Sequence, residues 1–219
     1  MEPSDPFKTK AFLDTNIVLE CRDLPELPWA EVDAEGPILL LVTARVAQEV
    51  DMRKRDGRLA SRARAFNKVL GEAVVSGQPV VIRESGPHVA LARSTASRIP
   101  WSDHDDLDPD EADHRIIAEV LHAKDVGNAE KVVVSHDVNP LGLARDHGLR
   151  VHHVGEHWLR PPEPSPMEKE VQRLKGRLSV LEARSLNSTS PLRSRASALC
   201  RCCRWNLWTQ LAGRLGYGA

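Results

Sequence analysis

The chain has 219 residues, 41% hydrophobic and 28% charged, enough to bury one substantial core with length left over. No run of about 18 apolar residues occurs, so no membrane span is expected. The opening Met1-Glu-Pro-Ser-Asp5 carries neither a basic stretch nor an apolar one, so no secretion signal is expected either. Cys21 stands alone, and Cys200, Cys202 and Cys203 crowd the far end without the partners of a disulfide framework or a zinc site, which makes a reducing cytoplasm the expected location. The net charge of −1 conceals an asymmetry. Residues 160–219 carry 11 basic and 4 acidic residues, a balance of +7, which leaves 19 basic and 27 acidic residues, a balance of −8, before residue 160. A basic tail supplies phosphate affinity or stays simply solvated, and the second reading is the plainer one.

Residues 10–14 (Lys-Ala-Phe-Leu-Asp) read as a short buried strand ending in a polar turn. Residues 37–42 form a continuous apolar run, the pattern of a strand covered on both faces. Thr43 opens a helix in which Val46 and Val50 stand four apart, and residues 58–74 read as a long helix with Leu59, Ala63, Phe66 and Leu70 on one face. Residues 79–82 are a further strand. Residues 110–124 predict an amphipathic helix that buries Ile116, Ile117, Val120 and Leu121. Residues 131–135 read as a strand, 139–147 as a short helix stopped by Gly148, and 150–154 as the last strand. Such alternation predicts an α/β fold over residues 8–159, a mainly parallel central sheet with helices on both faces. Its chemistry is expected at the carboxyl ends of the strands.

The Pro-rich residues 160–166 read as a linker. Beyond them, Met167, Val171, Leu174, Leu178 and Leu181 form an a/d seam over residues 167–184, little more than two heptads long, to which a protein partner or a second copy would pair. Residues 185–219, rich in Ser and Arg and without period, are expected to be a disordered basic tail.

Acidic side chains recur where strands end. Asp14 closes the first strand, Glu49 lies on the helix after the second, Asp113 lies near the start of the helix 110–124, and Asp137 follows the strand 131–135. In a parallel sheet these converge on one edge. Two carboxylates about 4 Å apart repel by roughly 1 kcal/mol in water and about 4 kcal/mol at an effective dielectric of 20, so such a cluster takes up protons or binds a hard cation. Carboxylate oxygens suit Mg²⁺ or Mn²⁺, which activate water and clamp a phosphate during phosphodiester hydrolysis.

The motif Leu13-Asp14-Thr15-Asn16 after an apolar strand resembles the opening of PIN domains. Glu49, then Asp113-x-x-Ile-Ile-x-x-Val, then Ser135-x-Asp137 ahead of Gly148-Leu-Arg-Val151 resemble the remaining acidic stations of that family, in order, over roughly residues 8–158. The resemblance implies a metal-dependent endoribonuclease, of the kind found as toxins in toxin–antitoxin pairs or in RNA processing. It also implies that Asp14, Glu49, Asp113 and Asp137 hold the metal, with Asn16 and Ser135 orienting ligands or water. The third station has two candidates, because Asp110 and Asp113 would share a helical face; the apolar pattern after Asp113 favours it, and Asp110 also reads as a helix-start residue. Trp101-Ser-Asp-His-Asp-Asp-Leu-Asp108 has no counterpart in compact toxin-type members, and its acids read as a solvated loop.

Other readings stand beside these. Asp14 also fits a turn-capping role, and Glu49 a solvated helix face. Arg53, Lys54, Arg55, Arg58, Arg62 and Arg64 fit an RNA groove or a solubilised helix equally well. His152 and His153 would face opposite sides of a strand and so would not share an ion. Phosphatases of the haloacid-dehalogenase kind need Asp-x-Asp after the first strand, where this chain has Asn16. Receiver domains need paired acids there and a late Lys, and neither pattern occurs. A PIN-like domain that binds RNA or a protein without cutting is the non-enzymatic alternative.

Overall fold

The two most apolar strands form the centre of the sheet. β1 (Thr9–Leu13) and β2 (Ile38–Val42) are buried at every position and pair in parallel, as strands covered on both faces do. The structure, a computed structural model, describes residues 6–124, 126–127, 129–161 and 166–188. β5 (Glu130–Ser135) pairs in parallel with the other side of β1, β4 (Val89–Arg93) with β2, and β6 (Arg150–His153) with β5. At the far edge, β3 (Val80–Arg83) runs antiparallel to β4, giving the order β3-β4-β2-β1-β5-β6. The chain leaves β1 towards β2 on one side and returns beside it as β5 on the other. Loops therefore diverge at the carboxyl end of β1, the place where open α/β sheets put their sites.

Helices cover both faces. α1 (Thr15–Leu19), α2 (Ala44–Met52) and α3 (Ala60–Ser76) pack Ile17, Val46, Val50, Phe66 and Leu70 against Ala11, Leu13, Leu40 and Val132. On the other face α4 (Ala112–Leu121) and α5 (Val138–Asp146) pack Ile117, Val120, Leu141 and Ala144 against Phe12, Leu39, Leu41 and Val133. The expected three-layer α/β/α sandwich is the observed one. Gly148, at φ +73°, ends α5 where the sequence placed its stop.

The last turn of this unit belongs to its core. Trp158 and Trp29 are fully buried and meet edge to face, with ring centroids 5.2 Å apart. The Trp158 indole donates to Glu31 at 2.9 Å, and the Arg160 amide donates to the Glu20 carbonyl at 3.0 Å.

Three local readings change. β4 was not anticipated: its Val-Ala-Leu-Ala-Arg sequence carries two alanines, poor strand formers, and becomes a strand by lying buried between β2 and β3. Nor was α1, which Asp14 starts by capping it. The helix expected over 110–124 is shorter at both ends, and Asp110 precedes it. The Asp110 amide donates to the Asp108 carboxylate at 2.8 Å, a local turn that competes with helix, so Asp110 and Asp113 do not share a helical face.

The described residues fall into two units, one ending at Pro161 and one beyond it. In the second, α6 (Pro166–Ser188) exposes Met167, Val171, Leu174, Leu178 and Leu181. Residues 162–165 of the expected linker and 189–219 of the expected tail, with its three cysteines, lie outside the described residues. Among the described residues no helix is long and apolar enough to cross a membrane.

Candidate active site

Asp14 continues the line of β1: its amide donates to the Val134 carbonyl of β5 at 3.1 Å, which draws it between two strands. Its side chain then turns to start α1. Oδ1 accepts from the Thr15 amide at 2.5 Å, while Oδ2 accepts from the Ser135 hydroxyl at 2.6 Å and from Asn16 Nδ2 at 3.0 Å. Capping and site roles thus coincide in one carboxylate that is only 6% exposed. Burial pushes the Asp14 carboxyl up to about 6, with smaller upward contributions from the charges of Asp113 and Asp137; the bonds from Ser135 and Thr15 pull the other way. Its partners are all neutral donors.

Asn16 Nδ2 also lies 3.0 Å from Asp137 Oδ2 and 3.1 Å from the Ser135 hydroxyl, and Asn16 Oδ1 accepts from the His136 amide at 3.3 Å. Ser135 is fully buried at the end of β5 and accepts from the Asp137 amide at 2.9 Å. Asp137 is the residue at which α5 begins. Asp113 lies in the first turn of α4, where Asn139 of α5 donates to its Oδ2 at 2.8 Å. Asp14, Asp113 and Asp137 therefore come from three different elements to the carboxyl ends of β1 and β5.

Glu49 stands one side chain further out. Its Oε2 accepts from the Thr15 hydroxyl at 2.5 Å, and its Oε1 pairs with Arg45 at 2.9 Å on the same helix. Asp110 is exposed, in the turn before α4, with its amide on the Asp108 carboxylate. The roles of Thr15, Arg45 and Asn139 were not read from the sequence, because each depends on a partner brought up by another element or another helical turn. Buried Glu119 was not singled out either. It accepts from the Arg45 amide at 3.0 Å, at the start of α2.

The basic residues near Glu49 are largely committed to structure. Arg62 donates to the carbonyls of Leu19 and Arg22 at 3.1 Å, Arg53 pairs with Asp56, Lys54 pairs with Asp51, and Arg64 donates to the Lys54 carbonyl. His152 lies against Trp158 while His153 stacks on His136, so the two do not converge.

The oxygen atoms gathered around Asp14 are those of carboxylates and the Ser135 hydroxyl, a set suited to Mg²⁺ or Mn²⁺ rather than to a soft ion. The raised Asp14 carboxyl, with two acids facing it, is the kind of charge that a cation would compensate. Among the described residues, no three His, Cys, Asp or Glu groups are drawn in to metal-holding spacing. Asn16 interposes an amide donor between Asp14 and Asp137, and Asn139 donates to Asp113. In donor chemistry the site fits a hard divalent ion.

The acids thus stand at adjacent strand ends of a mostly parallel three-layer α/β sandwich. A PIN-domain family model matches residues 11–154, from β1 through β6, and the chain belongs to the PIN-domain family. The fold is of the nuclease type, in a family that typically uses divalent metals and acts on RNA. No curated protein matches the chain. Among solved structures it is similar to a domain of a functionally unknown protein from Methanocaldococcus jannaschii, at 15% identity and a TM-score of 0.41, covering 72% of this chain and 96% of that one.

Proposed function

We propose that this protein is a metal-dependent endoribonuclease whose acids Asp14, Glu49, Asp113 and Asp137 hold Mg²⁺ or Mn²⁺. The observation that carries the reading is Asp14 itself: a buried carboxylate facing two other acids, in a PIN fold, at the point where the loops diverge. When bound, the metal would supply an activated water and offset charge on the phosphate under attack.

The chain's own groups do the positioning. Ser135 and the Thr15 amide fix both oxygens of Asp14, so the carboxylate keeps one orientation. Asn16 joins Asp14 to Asp137, and Asn139 steadies Asp113. Thr15 and Arg45 hold Glu49 from two sides. Conserving these orientations matters because misplaced ligands lose metal affinity and rate by about 10–100-fold.

Within this reading, residues 8–159 form the nuclease domain, 160–166 a linker, 167–184 a helix for a partner or second copy, and 185–219 a basic tail outside the catalytic fold. The proposed setting is the cytoplasm, as a toxin-type or RNA-processing nuclease. The test is cleavage of labelled single-stranded RNA by the full chain, with Mg²⁺ or Mn²⁺ and after chelation. Asp14→Asn should abolish cleavage while the fold persists, and unchanged turnover in that variant would exclude the assignment. One observation favours a second reading, an RNA-binding domain that does not cut: Glu49 is already neutralised by Arg45. Metal-independent RNA binding without cleavage would establish it.

A further inference from the structure

A second feature opens at the carboxyl ends of β2 and β4, a cleft of about 490 Å³ over the first turn of α2. Its lining includes Arg93, Ser94, Arg98, Trp101, Arg115 and Glu119. Three arginines and one carboxylate thus share the lining. Glu119 is already compensated: one oxygen accepts from the Arg45 amide at 3.0 Å, and the other stands 3.6 Å from Arg115. Arg93 and Arg98 are exposed and form no ion pair among the described residues. Ser94 is only 4% exposed, its amide is paired with the Val42 carbonyl at 2.8 Å, and its buried hydroxyl has no partner. A buried hydroxyl without a partner calls for a ligand or water to complete it.

These groups match one chemistry. Guanidinium forks take a phosphate, and an indole offers a face on which a base stacks. A hydrogen-bonded path joins the cleft to the acids: Glu119 to Arg45, Arg45 to Glu49, Glu49 to Thr15, and Thr15 to Asp14. We infer that this cleft is a subsite for one nucleotide of the RNA strand near the cleavage point, with Arg93, Arg98 and the Ser94 hydroxyl receiving its phosphate and Trp101 its base. The inference rests on the ribonuclease reading for its ligand. It also gives a role to Trp101, the first residue of the segment 101–108.

The test uses full-length protein carrying Asp14→Asn, so that RNA stays intact, titrated with a short single-stranded RNA, with adenosine 5′-monophosphate and with inorganic phosphate. Arg93→Glu with Arg98→Glu should weaken RNA binding at least tenfold and lower the steepness of its salt dependence by about two phosphate contacts. Both positions are exposed, so cooperative thermal unfolding should be retained. Trp101→Ala should weaken the mononucleotide at least threefold without affecting inorganic phosphate, and Trp101→Phe should restore it. Ser94→Ala, which removes only the unpartnered hydroxyl, should weaken the mononucleotide as well. RNA affinity within twofold of the parent in the folded double variant would overturn the subsite, as would a mononucleotide bound no more tightly than phosphate. Cleavage by the parent chain is scored separately. A chain that never cuts but loses binding in these variants removes the nuclease reading and keeps the subsite, whereas one that cuts but binds unchanged removes the subsite alone.

Discussion

Asn16 and Asp137 lie 121 positions apart, yet their side chains meet at 3.0 Å, and the same amide nitrogen lies 3.0 Å from Asp14. A neutral donor thus holds together two carboxylates that would otherwise repel, and it holds them at the junction of α1 with the start of α5. Asn16→Ala should therefore lower RNA cleavage by about 10–100-fold and raise the metal concentration needed for half-maximal rate. Asn16→Asp should instead add a further negative charge and lower the melting temperature in the absence of metal. Rates and melting curves across a metal titration check both.

The raised Asp14 carboxyl gives a pH signature with a definite sign. Its folded value of about 6 lies above the unfolded 3.8, so the folded state binds the proton more tightly and stability falls as pH rises from about 4 to about 6. The full difference is roughly 3 kcal/mol at most, from 1.36 kcal/mol per pH unit. In metal-free buffer Asp14→Asn should be more stable than the parent above pH 6, and the gap should close near pH 4. Denaturant melts at several pH values measure this; a gap that grows on acidification would contradict the assignment.

Divalent metal should act on the same charge. Above pH 6, Mg²⁺ or Mn²⁺ should raise the melting temperature of the parent in a concentration-dependent way, and chelation should reverse it. In Asp14→Asn the increase should be much smaller. Thermal shift against metal concentration, with Ca²⁺ as a comparison, gives the readout.

Asp113 and Asp110 separate cleanly in the structure. Asp113 is bonded to Asn139 and influences Asp14, whereas Asp110 is exposed in the turn before α4. Asp113→Ala should impair cleavage by two orders of magnitude or more, and Asp110→Ala by less than threefold. Asn139→Ala should fall between them. Rate constants at saturating metal decide the order.

Trp158 tests where the folded body ends. Its ring is fully buried against Trp29, so Trp158→Ala should destabilise the body by about 3–5 kcal/mol. Truncation after Pro161 keeps that contact and should leave cooperative unfolding intact, while RNA affinity and its salt dependence fall if the +7 segment touches phosphates. Calorimetry of the two variants side by side would show whether the boundary is correct.

Most of the scaffold was legible because its signals are local. The apolar run 38–42, the helical spacing of Ala63, Phe66 and Leu70, and the stop at Gly148 each lie within a few residues, and together they imply a covered parallel sheet. The order of the acids, with Asp14 and Asp137 just past strands, likewise needs no tertiary knowledge. What needed the fold was every relation that depends on pairing. β4 is a strand because β2 and β3 flank it, not because Val-Ala-Leu-Ala-Arg prefers to be one. Glu49 is tied to Thr15, and Asn139 to Asp113, through contacts that no spacing encodes. Asp110 loses its helical place to a turn made by Asp108. The lifted Asp14 carboxyl follows from desolvation by neighbours drawn from the whole chain. Periodicity and turn chemistry are written over short windows, whereas burial and electrostatic coupling belong to the assembled core, and the character of this site was settled there.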